Sequence, residues 1–294
     1  MRIERTAIAA LLASGALAGC ASSGAGGTAP APHPNRITVN VGGRPTQHLD
    51  LDPFELEWDD IEVDDTGERS ATQVARWVRM RHDAALRCLR ADPPDYEQAG
   101  ELLQEILRRV PDSSRDRSLL AQLFFADAAY WWRTADAVAW EMERVALEST
   151  AAPNGPPLTD EEVKQLLSEY QPYRDRANEN VRKAARESLK HFELYRRLRP
   201  DDKSVLDFVW KLHFFLQDYE LALRWLDYVL REMDTAGVPP QEPLRVDYET
   251  IRKDIANYLA ERKLDPSRPP SGRGLFPFSA GGRERMRKDY APGR

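Results

Sequence analysis

From about Thr72 to Leu264, apolar residues recur every three or four positions. The rhythm is broken at Pro93-Pro94, Pro111, Pro153 to Pro157, Pro200 and Gly237 to Pro240. Such spacing puts apolar side chains on one face of an α-helix, and the breaks divide the stretch into helical hairpins. The clearest helix spans about Asp218 to Met233, where Tyr219, Ala222, Leu223, Leu226, Val229, Leu230 and Met233 make one buried stripe. From Leu244 through Tyr248, Ile251, Ile255 and Tyr258 the spacing continues, with Arg252, Lys253, Asp254 and Glu261 off the stripe. This predicts a terminal helix with a solvated outer face. Two helical segments are longer than the rest. One, from about Arg115 to Glu148, would reach ~50 Å at about 1.5 Å per residue. The other begins at Thr159, whose spacing to Glu162 gives a capping box, and runs to Leu198, with Pro172 expected to kink or break it. Ser149 to Leu158 reads as the loop between them.

Outside this body the pattern changes. Residues 21–35, small and proline-containing with no apolar period, read as a flexible stalk. Residues 37–41, Ile-Thr-Val-Asn-Val, alternate like one strand before Gly42-Gly43. Asp50 to Glu68 is densely acidic with no Lys or Arg, but Leu51, Phe54, Leu56, Trp58, Ile61 and Val63 are interleaved, so it reads as an extended arm packed on the helical body. The C-terminal stretch is rich in Pro and Gly and carries Arg283, Arg285, Arg287, Lys288 and Arg294. It reads as disordered, with Leu275-Phe276-Pro277-Phe278 as a short docking motif, and as the electrostatic mate of the acidic arm or of an anionic lipid or acidic partner.

Within the body a pattern repeats. Ser188-x3-Phe192 with Tyr195 and Pro200 recurs after 34 residues as Ala222-x3-Leu226 with Val229. Ala99-x3-Leu103 with Ile106 and Pro111 is a third copy, and Asp95-Tyr96-Glu97-Gln98-Ala99 parallels Asp218-Tyr219-Glu220-Leu221-Ala222. A small residue lets two helices approach, the larger one fills the space between hairpins, and proline stops the second helix. On these residues the chain resembles the tetratricopeptide-repeat family over roughly residues 72–264. The first helix of the best repeat offers Leu206, Val209, Trp210 and His213 where the family prefers Trp, Leu, Gly and Tyr. Trp210 for glycine, and Ser188 and Asp234 for the preferred Ala and Pro, are departures. The third copy is not spaced by a multiple of the period, so the array is interrupted where the two long helices sit. The expected fold is all-α, with stacked antiparallel helical hairpins in a tetratricopeptide-like α-solenoid, two long helices, a short extended N-terminal arm and a disordered C-terminal tail.

Arg2 and Arg5, the apolar run from Ala7 to Leu17, and Leu17-Ala18-Gly19-Cys20 resemble a bacterial lipoprotein signal peptide with its lipobox. The resemblance implies removal of residues 1–19 and acylation of Cys20. Ala21, where an aspartate would favour inner-membrane retention, points to the periplasmic face of the outer membrane. The expected organisation is therefore signal peptide 1–19, stalk 20–36, arm 37–70, helical domain 71–264 and basic tail 265–294. Loss of the signal removes two basic residues and one acidic, moving the net charge from −6 to −7. That balance argues against nucleic-acid binding, which needs concentrated Lys and Arg. The two cysteines then form no internal disulfide, and Cys88, beside Leu86 and Leu89, reads as a buried small hydrophobe or else a reactive thiol.

The five histidines, His33, His48, His82, His191 and His213, fit no metal-ligand spacing, and no metal or cofactor is expected. Trp58 to Asp65 lacks the ligand order of a calcium loop. No nucleophile-elbow, phosphate-loop or dinucleotide glycine pattern is present. Aromatics concentrate instead at Phe124, Phe125, Tyr130, Trp131, Trp132 and Trp140. Adjacent helical residues point about 100° apart, so Trp131 and Trp132 cannot both face one stripe. The residues chosen for a partner-binding face are Phe124, Trp131, Trp132, Trp210 and His213. The expected function is a non-catalytic, membrane-anchored scaffold or adaptor that binds envelope proteins. The alternatives are a cell-wall or envelope-polymer enzyme or accessory, with Glu161, Glu162 or the acidic arm as carboxylate source, and a purely structural tether.

Overall fold

A computed structural model describes residues 49–51, 54–150 and 159–264. These residues are all-helical: α1 Ala71–Arg90, α2 Tyr96–Arg109, α3 Ser114–Thr150, α4 Asp160–Leu198, α5 Leu206–Phe215, α6 Tyr219–Thr235 and α7 Pro243–Leu264. Among them the only β-type pairing is an isolated antiparallel bridge between Val63 and Arg69. The stalk, the Ile37–Val41 strand, Cys20 and the basic tail lie outside the described residues. The chain falls into two compact units, divided in sequence between Leu123 and Phe124.

In the first unit α1 packs on α2. Trp77, Ala84, Ala85, Cys88 and Leu89 from α1 share the core with Ala99, Leu102, Leu103 and Ile106 from α2. Ala99, Leu103 and Ile106, the repeat-matching positions, are completely buried. Asp95 caps α2 by accepting a hydrogen bond from the Gln98 N–H, and its other oxygen accepts from the Leu49 N–H at 3.2 Å. Burial raises the Cys88 thiol to about 11, so the cysteine is an inert core group rather than a reactive one.

The acidic arm binds to α1. Its Glu55, Glu57 and Asp59 pair with Arg76, Arg81 and Arg69, respectively. Trp58 meets Trp77 edge to face at 4.9 Å, and Ile61 is buried. Arg81, itself buried, lies over the rings of Phe54 and Trp77 and also faces Glu105 at 3.2 Å. The described part of the arm therefore finds its cations in its own Arg69 and in Arg76 and Arg81 of the helix that follows.

In the second unit, contacts join α4 to α5, α5 to α6 and α6 to α7. The α6 stripe buries Tyr219, Ala222, Leu226, Val229 and Leu230 as the spacing requires, whereas Leu223 and Met233 are half-buried. In α7 Tyr248, Ile251 and Ile255 are buried but Leu244, at the start of the stripe, is exposed. The Thr159 capping box is formed: Glu162 accepts from the Thr159 N–H at 2.7 Å and Thr159 from the Glu162 N–H at 3.3 Å. Of the two outcomes expected at Pro172, a kink or a break, the break does not occur, and α4 is continuous through it. The residues around it, Ser168, Gln171 and Tyr173, are exposed, so water can solvate the carbonyl that loses its N–H partner.

Both α5 and α6 end in the same motif. After α5 the Gln217 N–H bonds to the Phe214 carbonyl and the Asp218 N–H to the His213 carbonyl, with Gln217 in the left-handed region at φ 65°. After α6 the pattern recurs with Gly237 to Asp234 and Val238 to Met233, at φ 67°. Glycine takes that conformation without strain, and glutamine does not.

Candidate functional site

Three of the five residues expected on a partner face are interior. Phe124, only 2% exposed, stacks on His191 with ring centroids 5.8 Å apart. Trp132 stacks on Phe215 at 5.4 Å. Trp210 packs edge to face on Tyr248, and its indole N–H donates to Asp207 at 3.0 Å. Large aromatic area gains most when removed from water altogether, and the helical spacing that made these residues conspicuous is the spacing that buries them. Their assignment to a docking surface is therefore corrected to a core role.

Asp207 explains how the polar edge of the buried Trp210 indole is satisfied. It also accepts from the Lys211 ammonium at 2.9 Å and from the Tyr248 hydroxyl, while the Lys211 ammonium lies over the rings of both Trp210 and Tyr248. One carboxylate thus satisfies three donors around the buried indole.

Trp131 and His213 remain half-buried. His213 sits with Nδ1 3.8 Å from the Asp218 carboxylate, and burial, opposed by that carboxylate, holds its pKa below the usual imidazole value. Trp131 meets Tyr130 edge to face at 5.3 Å and hydrogen-bonds to Asp127 one turn earlier. Burial pushes the Asp127 carboxyl up to about 7, the Trp131 hydrogen bond opposing it, and Oδ1 of Asp127 has no hydrogen-bond partner. Asp127 was missed in the sequence, where its signal was a lone acid in the apolar run Leu119 to Trp132. A carboxyl that titrates near neutral beside an indole N–H can change charge or exchange a proton under ordinary conditions.

Further out on the two long helices Trp140 is 52% and Tyr173 69% exposed. Solvent exposure of that size for such rings makes these positions, with Trp131, the accessible aromatic surface of α3 and α4. Glu162, one of the carboxylates considered for catalysis, is engaged in the Thr159 cap, and Glu161 is exposed beside Lys164.

The first unit holds a second polar cluster that the sequence did not announce. His82 Nδ1 lies 2.5 Å from Asp116 Oδ1, and the Ser113 hydroxyl donates to the other oxygen of Asp116 at 2.5 Å. His82 and Asp116 are buried, so the dyad ties α1 to the start of α3. Ser113 is bound to the carboxylate rather than to the imidazole, so the three do not form the relay of a serine nucleophile. Among the described residues no group of three or more His, Cys, Asp or Glu side chains gathers as a metal site. Comparison with family models, curated proteins and solved structures finds no match to this chain.

Proposed function

We propose that the chain is a lipid-anchored, non-catalytic adaptor of the bacterial envelope, held by acylated Cys20 and binding partner proteins through a tetratricopeptide-like stack of antiparallel helix pairs. The anchor reading rests on Leu17-Ala18-Gly19-Cys20 and the segment before it. The helical-stack reading is supported by the complete burial of Ala99, Leu103, Ala222 and Leu226 at matching repeat positions. The observation that carries the binding role is the exposure of Trp140 and Tyr173 on the two longest helices. Rings of this size left in water are the usual anchors of protein interfaces. The binding residues proposed are Trp131 and His213, both expected from the sequence, together with Trp140 and Tyr173.

The experiment places a photo-crosslinking amino acid at Trp140 or Tyr173 in cells and compares the chain with a Cys20→Ala variant after membrane fractionation at high salt. A discrete cross-linked envelope protein, with membrane association lost on Cys20→Ala, is the expected result. Retention of the Cys20→Ala variant in washed membranes refutes anchoring by acylation. Absence of any discrete adduct at either position refutes the adaptor role.

A further inference from the structure

One face of α6 differs from the rest of the second unit in how its cations are held. Several basic side chains elsewhere in that unit sit against carboxylates: Arg144 on Glu141, Lys183 on Glu179, Lys190 on Glu187, Arg245 on Asp234 and Glu249, and Arg252 on Asp227, while Lys211 meets both Asp207 and the rings of Trp210 and Tyr248. Along α6, Leu221, Trp225 and Tyr228 follow at four and three residues and form one stripe. The cations on this stripe meet rings instead. Arg196 lies 4.5 Å from the Trp225 centroid, and Lys203 and Arg231 each lie 5.6 Å from that of Tyr228.

Helix-end electrostatics accounts for only part of this. Arg196, in the last turn of α4, answers the helix dipole. Lys203 lies in the following loop, and exposed Arg224 sits mid-helix on the same side of α6. Lys203 hydrogen-bonds to the Tyr228 side chain and feels the Glu232 carboxylate more weakly, and Asp227 is taken by Arg252. A cation resting on a π face keeps its full charge and its outward hydrogen-bond donors.

The apolar part of the face identifies the kind of anion. Leu221 is 39% exposed, and Leu198, two residues after Arg196, is 40% exposed. Half-buried Trp225 and Tyr228 each present an apolar body with a polar tip, and the basic side chains add long aliphatic stems. Exposed leucine, tryptophan and tyrosine beside cations is the composition that settles at a lipid headgroup boundary, where phosphates meet acyl chains.

We propose that the face formed by Arg196, Lys203, Leu221, Trp225, Tyr228 and Arg231 docks on the headgroups of an anionic lipid surface. This contact is separate from acylation at Cys20, and it would orient the second unit against a membrane.

The test uses the full chain carrying Cys20→Ser, so that no acyl group contributes, with vesicles of phosphatidylglycerol and phosphatidylcholine compared with phosphatidylcholine alone. The wild-type face gives binding that depends on the anionic lipid and weakens with salt. At about a factor of five per cation, Arg196→Gln, Lys203→Gln and Arg231→Gln together lower the partition coefficient about a hundredfold. A control that removes the same charge at exposed sites, Lys164→Gln, Lys183→Gln and Lys253→Gln, leaves binding unchanged. Arg224→Glu, which removes no described contact, weakens binding on its own and guards against misfolding of the triple variant, whose fold is checked by circular dichroism. Equal losses in the face and control variants overturn the proposal, as does wild-type binding indifferent to phosphatidylglycerol. Face-dependent binding to polyglutamate without preference for anionic vesicles also overturns it and assigns the face to an acidic polypeptide. None of these failures touches the anchoring reading, because the acyl chain is absent throughout.

Discussion

Replacing Asp127 by asparagine keeps the shape of the side chain and removes its charge. In the folded chain the carboxyl, 8% exposed, is pushed up to about 7 by burial from an ordinary 3.8. Between those values the unfolded chain is ionised while the folded chain holds its proton. The folded state binds more protons, so stability falls as pH rises through this window and levels off above about 7. The distance from 3.8 to about 7 corresponds to on the order of 4 kcal/mol. An asparagine carbonyl still accepts from the Trp131 indole, so the substitution removes the ionisation cost and little else. Asp127→Asn is therefore expected to match wild type near pH 4 and to gain progressively towards pH 8. Urea denaturation of both proteins at several pH values, followed by circular dichroism, gives the difference directly, because every other titrating group cancels. Parallel pH profiles for the two proteins would refute the reasoning. The companion substitution Trp131→Phe removes the hydrogen bond that opposes the burial effect, so it should move the midpoint of the Asp127-dependent change upward.

Gln217→Gly relieves a left-handed residue that is exposed, and it should stabilise the second unit by about 0.5–1 kcal/mol, the gain from strain exceeding the extra entropy of the unfolded glycine. Gly237→Ala meets no atom within 4 Å but forces alanine into the same region, so a loss of about 1–2 kcal/mol is expected; denaturation midpoints moving in opposite directions are the check. Trp132→Ala should cost about 3–5 kcal/mol by opening a core cavity. Half-buried Trp131 should cost much less, and similar thermal melts for the two alanine variants would contradict their different burial. Cys88 should react with a thiol reagent only as fast as the first unit opens, and a burst of modification in the native protein would show that the thiol is accessible.

The helices were legible in the sequence because each writes its period into the chain many times over. The stripe from Tyr219 to Leu230 and the Thr159 cap needed no tertiary information. What the period could not reveal was which conspicuous side chains stay wet. Phe124, Trp132 and Trp210 attract notice as aromatics, yet burial is where aromatics gain most, and only Trp131 and His213 of the chosen residues keep partial exposure. Asp127 and the His82–Asp116 pair were illegible for the opposite reason. An isolated acid on a helix reads as solvated unless the packing of other segments over it is known. The two helix ends show the same contrast: Gly237 announces a left-handed cap by its chemistry, whereas Gln217 adopts one and its side chain gives no sign of it.

Arg81 gives the N-terminal arm a mechanical character. Any tension entering the chain from its N-terminal side reaches the helices through residues 54–70, and there it meets a guanidinium clasped between two aromatic rings and two carboxylates. The arm would act as a strain relief, like the clamp where a cable enters a housing. Pulling would strip Glu57 and Phe54 from Arg81 before force reached the α1–α2 core. A fragment beginning at Ala71 would lack that clamp and would leave Trp77 and Arg81 facing water, so the working boundary of the folded body lies upstream of its first helix.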